Sequence, residues 1–174
     1  MRIELKQIGE DPFAWNEECT FEVEALDRPE VVALSAVKCD GQVQVADPGY
    51  LLRARLRYEQ SLLCDRCLGT VKEPVATSLE LLLLPPTALE EADEVELEEQ
   101  DLSLLALEGE ELDTEPLILE QVQLNLPMKP LCSPECQGLC PQCGANRNLG
   151  QCECREEETD PRWEQLAALR DRLP

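Results

Sequence analysis

The chain has 174 residues, a formal net charge of −22, ten cysteines and no histidine. Without an imidazole the commonest general base near neutral pH is missing, and any metal site must use thiolates, with carboxylates at most in support. The acidic excess also argues against a broad nucleic-acid footprint, which needs clustered Lys and Arg.

The opening MRIELKQIGE has no apolar h-region, so no secretory signal is expected. Phe21, Val23 and Ala25 alternate with Thr20, Glu22 and Glu24, the pattern of a half-buried strand. Val31 to Lys38 is a second strand candidate, and Asp40-Gly41 supplies a turn before Gln42 to Ala46, which predicts a hairpin. Asp47-Pro48-Gly49 is a further turn signal. Tyr50, Leu52, Ala54, Leu56 and Tyr58 then share one face, with Arg53, Arg55 and Arg57 on the other, the clearest strand in the chain. The arginine stripe admits an RNA-phosphate reading, but single-stranded RNA platforms want aromatics on the same face. An exposed sheet face beside acidic strands is the favoured reading.

That strand runs into Cys64-Asp-Arg-Cys67, and another should leave it from about Val75 to Leu84, ended by Pro85-Pro86. Ala88 to Gln100 reads as an acidic loop, and Leu102 to Leu107 as a candidate strand. Thr114 is the candidate N-cap of a helix with Pro116 in its first turn, Leu117, Val122 and Leu124 facing the sheet, and Pro127 as its stop. Asp160-Pro161 opens a short helix through Leu166, Leu169 and Leu173, docked by Trp163. Together these predict an α+β fold: a mostly antiparallel β-sheet or partial barrel, a few short helices and a C-terminal cysteine-rich zinc module. The division falls at 1–128, with the acidic loop at about 87–101 and the helix at about 114–126, and at 129–174, the tail with its short helix. Aromatics are 3 % of the chain, so the core must come mainly from Leu, Val and Ala.

Eight cysteines fall into four close pairs: Cys64 and Cys67, Cys132 and Cys136, Cys140 and Cys143, Cys152 and Cys154. Two such pairs complete the tetrahedral cage that zinc needs. The preferred arrangement joins Cys64 and Cys67 to Cys132 and Cys136, and Cys140 and Cys143 to Cys152 and Cys154, giving two Zn2+ per chain. The rival is one zinc in the tail with the remaining cysteines as free thiols. An iron–sulfur cluster or dithiol redox chemistry stays open. Redox is disfavoured because Cys64 and Cys67 sit at a strand end, whereas a redox Cys-x-x-Cys sits at a helix N-terminus. Cys19 and Cys39 are expected to be buried thiols. A reducing, cytoplasmic setting is expected, where close cysteine pairs favour metal over disulfides.

Charge is uneven. Glu73 to Met128 holds 16 acidic residues and no Lys or Arg. Such a window suits a basic protein partner, or else is a solvated segment that only aids solubility. The longest apolar run, Leu81 to Pro86, is too short to span a bilayer, so no membrane is an expected partner. No small-molecule substrate or catalytic residue is indicated.

Four features in order carry a resemblance: Cys64-Asp-Arg-Cys67-Leu, the run from Leu131 through Cys140-Pro-Gln-Cys143-Gly to Asn146, Cys152-Glu-Cys154, and Asp160-Pro161-Arg-Trp. They resemble the bacterial YceD family, described as large ribosomal RNA subunit accumulation protein. Arg147 departs from the family's frequent Asn-Leu-Asn after the third knuckle. The resemblance implies a non-enzymatic role in 23S rRNA accumulation and large-subunit assembly. The composition adds a mechanism: binding a basic large-subunit ribosomal protein or a pre-50S particle through it, with direct contact to naked rRNA disfavoured. A zinc-ribbon nucleic-acid-binding or regulatory protein is the first alternative. It would predict a basic zinc module, yet residues 129–174 hold six basic and eight acidic side chains.

Overall fold

The structure, a computed structural model, describes residues 1–85, 103–107 and 109–154. Within them the order is β1 (Arg2–Glu4), β2 (Phe13–Cys19), β3 (Val31–Leu34), β4 (Val37–Val45), β5 (Tyr50–Leu63), β6 (Thr70–Leu84), β7 (Leu104–Ala106), β8 (Glu111–Asp113) and α1 (Thr114–Leu124). β5 and β6 are the spine, an antiparallel hairpin in register from Tyr50↔Leu83 to Leu63↔Thr70. β4 covers the first part of the other edge of β5, and β3 its end. β2 lies outside β4, and β7 runs parallel to the end of β6. β1 and β8 form a separate two-stranded ribbon.

The alternation in β5 sets the two faces. Leu52, Ala54, Leu56 and Tyr58 are buried, while Arg53, Arg55 and Arg57 are exposed. Inward residues form two pools. One joins Leu56, Tyr58, Leu62, Val37 and Cys39 to Ile118 and Val122, four apart on α1, and to Leu126 just past its end. The other joins Leu52, Val43, Leu83 and Trp15 to Ile3, Leu5, Leu107 and Leu112. Each fully buried leucine contributes about 1.5–3 kcal/mol. On the outer face Arg53 pairs with Glu80 at 2.7 Å and Arg57 pairs with Asp40, so neighbouring strands balance the stripe.

Several expectations are corrected. Among the described residues the sheet is open: its end strands β2 and β7 do not pair with each other, so they form no partial barrel. With only three residues, β7 lacks the staggered ladder that closure requires. Residues 20–25 do not form a strand. Val23–Leu26 is a 3-10 turn that buries Leu26 and ends at Asp27 in the left-handed region (φ 51°), and the strand lies earlier, at Phe13–Cys19. Asp40-Gly41 is not a turn but the middle of β4. Gly41 is there because Trp15 lies over it: a Cβ would sit 2.2 Å from the indole ring. The N-cap of α1 is Asp113, which accepts from Glu115 N–H at 3.3 Å, while Thr114 turns its hydroxyl to the Met1 carbonyl. Leu124 is 68 % exposed, and Ile118 takes the sheet-facing place expected for it. The acidic loop at 87–101 and the helix after Asp160 lie outside the described residues.

Candidate metal centres

The β5–β6 hairpin ends at the first knuckle. Leu68 N–H donates to Cys64 O, and Cys64 N–H to Gly69 O, both at 2.9 Å, folding residues 64–69 into a turn that points both thiols one way. The tail docks on this tip. Asp65 N–H donates to Pro130 O at 2.9 Å, and Leu139 N–H to Arg66 O at 3.0 Å. The Arg66 guanidinium donates to Pro134 O at 3.2 Å and Cys136 O at 2.8 Å. These bonds bring Cys132 and Cys136 against Cys64 and Cys67. Cys64 Sγ lies 3.8 Å from Cys136 Sγ, and Cys67 Sγ 3.7 Å from Cys132 Sγ. All four sulfurs lie within 4.8 Å of one another. Cys64, Cys67 and Cys136 are buried under Val71, Leu131 and Leu139, while Cys132 is exposed.

The second cluster repeats the turn locally. Gly144 N–H donates to Cys140 O at 2.9 Å, and Cys140 N–H to Ala145 O at 2.8 Å. Gly144 and Leu68 therefore hold equivalent places, and both have positive φ, 72° and 57°. Cys152 and Cys154 return to Cys140 and Cys143, again with all four sulfurs within 4.8 Å. Only Cys140 is buried here, and Cys143 is exposed.

The donor sets fit a single tetrahedral ion. Metal–sulfur bonds of about 2.3 Å place sulfurs about 3.8 Å apart at the edges of a tetrahedron, the separation seen across the first cluster. Disulfides are excluded, since a sulfur–sulfur bond is about 2.05 Å and all ten cysteines are free. A four-iron cluster would force the cysteine sulfurs further apart, with iron and sulfide between them. Each cluster could thus hold one metal ion.

The thiols are set up unequally. Burial works to raise Cys64, but backbone N–H groups from Cys132, Cys67 and Arg66 outweigh it and bring the thiol down to about 6. The backbone N–H groups of Cys143 and Gln142 bring Cys140 to about 6 as well. Cys132, sharing protons with Cys136 and Cys67, is pushed up to about 12, and so is Cys154, beside Cys143. Cys136 is lowered too, first by the hydrogen bond from Asn148, so the first cluster has two thiols that ionise readily, Cys64 and Cys136, and the second has Cys140. Outside the clusters, burial raises Cys39 to about 12, and Cys19 is half-buried.

Two polar residues at the first centre were not visible as site residues in the sequence. Arg66 pins the tail, and Asn148 Nδ2 donates to Cys136 Sγ at 3.2 Å. The available signals were only positional: Arg66 lies inside Cys-x-x-Cys, and Asn148 two residues after Asn146.

An open sheet whose longest hairpin ends in a cysteine knuckle, stapled to a tail that carries a second four-cysteine cluster, defines a small cysteine-cage protein of β type. The chain belongs to the YceD family: the family described as "Large ribosomal RNA subunit accumulation protein YceD" matches residues 52–170. An uncharacterized protein of Mycobacterium tuberculosis is 30 % identical over 174 residues, 97 % of this chain and 81 % of the relative. YlbN of Bacillus subtilis is 27 % identical over 170 residues, 95 % of this chain and 91 % of that protein. The chloroplastic "Large ribosomal RNA subunit accumulation protein YCED homolog 1" of Arabidopsis thaliana is 35 % identical over 66 residues, 38 % of this chain and 21 % of its own length. No solved structure is a significant match. Among the described residues no helix is long and apolar enough to cross a membrane.

Proposed function

We propose that this chain is a non-enzymatic, cytoplasmic assembly factor for the large ribosomal subunit that carries two structural zinc ions and binds a basic ribosomal protein. The family description supplies the process, accumulation of large-subunit rRNA. The observation that carries the zinc part is the pair of 3.7 and 3.8 Å sulfur separations joining hairpin tip to tail. A cage of four thiolates leaves no open position for a substrate or water, which favours a structural ion over a catalytic one. Charge supports the basic partner: the chain carries −22, and 16 acidic residues fall between Glu73 and Met128. Direct rRNA binding through the arginine stripe finds less support, because Glu80 and Asp40 already engage Arg53 and Arg57.

Affinity capture from native lysate, with and without nuclease and at low and high salt, tests the partner. A basic large-subunit protein should be retained after nuclease and lost at high salt, where screening is strong. Capture that disappears with nuclease and resists salt would replace this reading with direct RNA binding.

A further inference from the structure

We propose that the two cysteine centres bind metal cooperatively, and that Asn148 is the residue that couples them. The inference rests on the four-thiolate metal reading above. By sequence Asn148 belongs to the second centre, in the loop between Cys143 and Cys152. By contact it belongs to the first. Its Nδ2 donates to Cys136 Sγ at 3.2 Å, and its Oδ1 accepts from Gln137 N–H, next to that ligand, at 2.8 Å.

The second amide hydrogen is also used. Asn148 Nδ2 and Asn148 N–H both reach Asn146 Oδ1, at 2.9 and 3.0 Å, so the side chain is held in one pose by its own loop. That loop lies along the segment after Cys136: Arg147 N–H donates to Gly138 O at 2.9 Å, and Leu139 pairs with Asn146. Across the same segment Arg66 grips the carbonyls of Pro134 and Cys136. Residues 136–139 are therefore held between the first knuckle and the loop of the second centre.

A metal on Cys140, Cys143, Cys152 and Cys154 closes that loop and removes much of its conformational freedom. The ordering that presents Asn148 to Cys136 is then already in place when the first centre loads. An N–H donor aimed at a ligand sulfur is an outer-shell contact, and losing one typically lowers metal affinity 10–100-fold. Linkage makes the effect reciprocal: each occupied centre raises the affinity of the other by one common factor.

Cobalt(II) titration against a competing chelator tests this on the full chain. Thiolate-to-cobalt absorption reports each step, and the step lost in a Cys64→Ser/Cys67→Ser variant is assigned to the first centre. Asn148→Ala should weaken that step about tenfold, leave two cobalt ions bound, and shift the first centre's charge-transfer band to longer wavelength. Cys140→Ser/Cys143→Ser should weaken the same step similarly, and adding Asn148→Ala to it should cost little more. Unchanged first-centre affinity in the Cys140→Ser/Cys143→Ser variant overturns the coupling. So does strictly additive loss in the combined variant, which leaves Asn148 with a local role. If the wild type binds no cobalt, the metal reading falls, and this inference with it.

Discussion

The two clusters have the same four donors and nearly the same turn, yet they stand in different relations to the fold. The first joins residues 65 and 72 positions apart, from the rigid tip of the long hairpin to the tail. The second is drawn from residues 140–154 alone. Loop length separates them little. Closing 65 residues in place of nine, the span from Cys143 to Cys152, costs only about 2 kcal/mol more. A structural zinc site has an apparent binding free energy of about 10–16 kcal/mol at pH 7. What differs is the attachment. Three buried thiols make the first centre part of the protein's interior, whereas the second lies mostly at the surface and organises its own loop.

The largest expected contrast follows from that attachment. At saturating zinc, Cys64→Ser and Cys143→Ser should each lower bound zinc from two per chain to one. Only Cys64→Ser should free the tail from the sheet, seen as early tryptic cleavage after Arg66, released from the Pro134 and Cys136 carbonyls, with the sheet core left intact. In Cys143→Ser the early cut should fall after Arg147. Identical cleavage of the two variants would mean that the centres are not distinct in role.

Acid sharpens the comparison next. With Cys64 and Cys140 held near 6 from an ordinary 9.0, their thiolates stabilise the folded clusters fully above pH 9. That contribution declines below it and is lost as pH falls through about 6. Acid should therefore weaken metal binding as these thiolates take up protons, read as loss of the thiolate-to-cobalt absorption of the cobalt form as pH falls. Cys132 and Cys154, near 12 when metal-free, should give up protons on loading. Calorimetry in buffers of different ionisation enthalpy should register that release, and the absence of any buffer dependence would contradict it.

The smallest effects lie in the turns. Gly138 (φ 72°) faces the Arg66 carbonyl, which would lie 2.9 Å from an added Cβ, while Gly144 has open space around it. Gly138→Ala should cost more than the roughly 1–2 kcal/mol expected for an alanine in the left-handed region, and Gly144→Ala about that amount. Leu68 occupies the same conformation and is 61 % exposed, so Leu68→Gly should leave thermal stability unchanged or slightly raised. Equal losses at Gly138 and Gly144 in denaturant melts would show that the docked tail does not press on the first knuckle.

Legibility in the sequence tracked how local the determining physics is. β5 was plain because Leu52, Ala54, Leu56 and Tyr58 alternate with three arginines without interruption, and β6 because it leaves a knuckle that must reverse the chain. Pair spacing marked the eight cysteines but left two arrangements open, and the structure brings together the preferred one, Cys64 with Cys136 and Cys140 with Cys154. β2 was hidden because its inward face mixes Trp15 with Glu17, a carboxylate that takes the indole N–H at 2.9 Å. Asp40-Gly41 misled because a glycine required by a neighbouring strand's indole looks, in sequence, like a glycine required by a turn. Arg66 was invisible as a site residue because its partners are two backbone carbonyls far along the chain, and Asn148 because it reaches a sulfur of the other cluster, not of its own.

The indole laid over Gly41 also makes this protein easy to watch. Trp15 is 7 % exposed, lies 6.4 Å from Phe13 between ring centroids, and is one of only two tryptophans in the chain. With Trp163 replaced by phenylalanine, the remaining emission comes from the sheet alone. Stripping metal while following that short-wavelength band would then separate, in one cuvette, loss of the staple from loss of the scaffold.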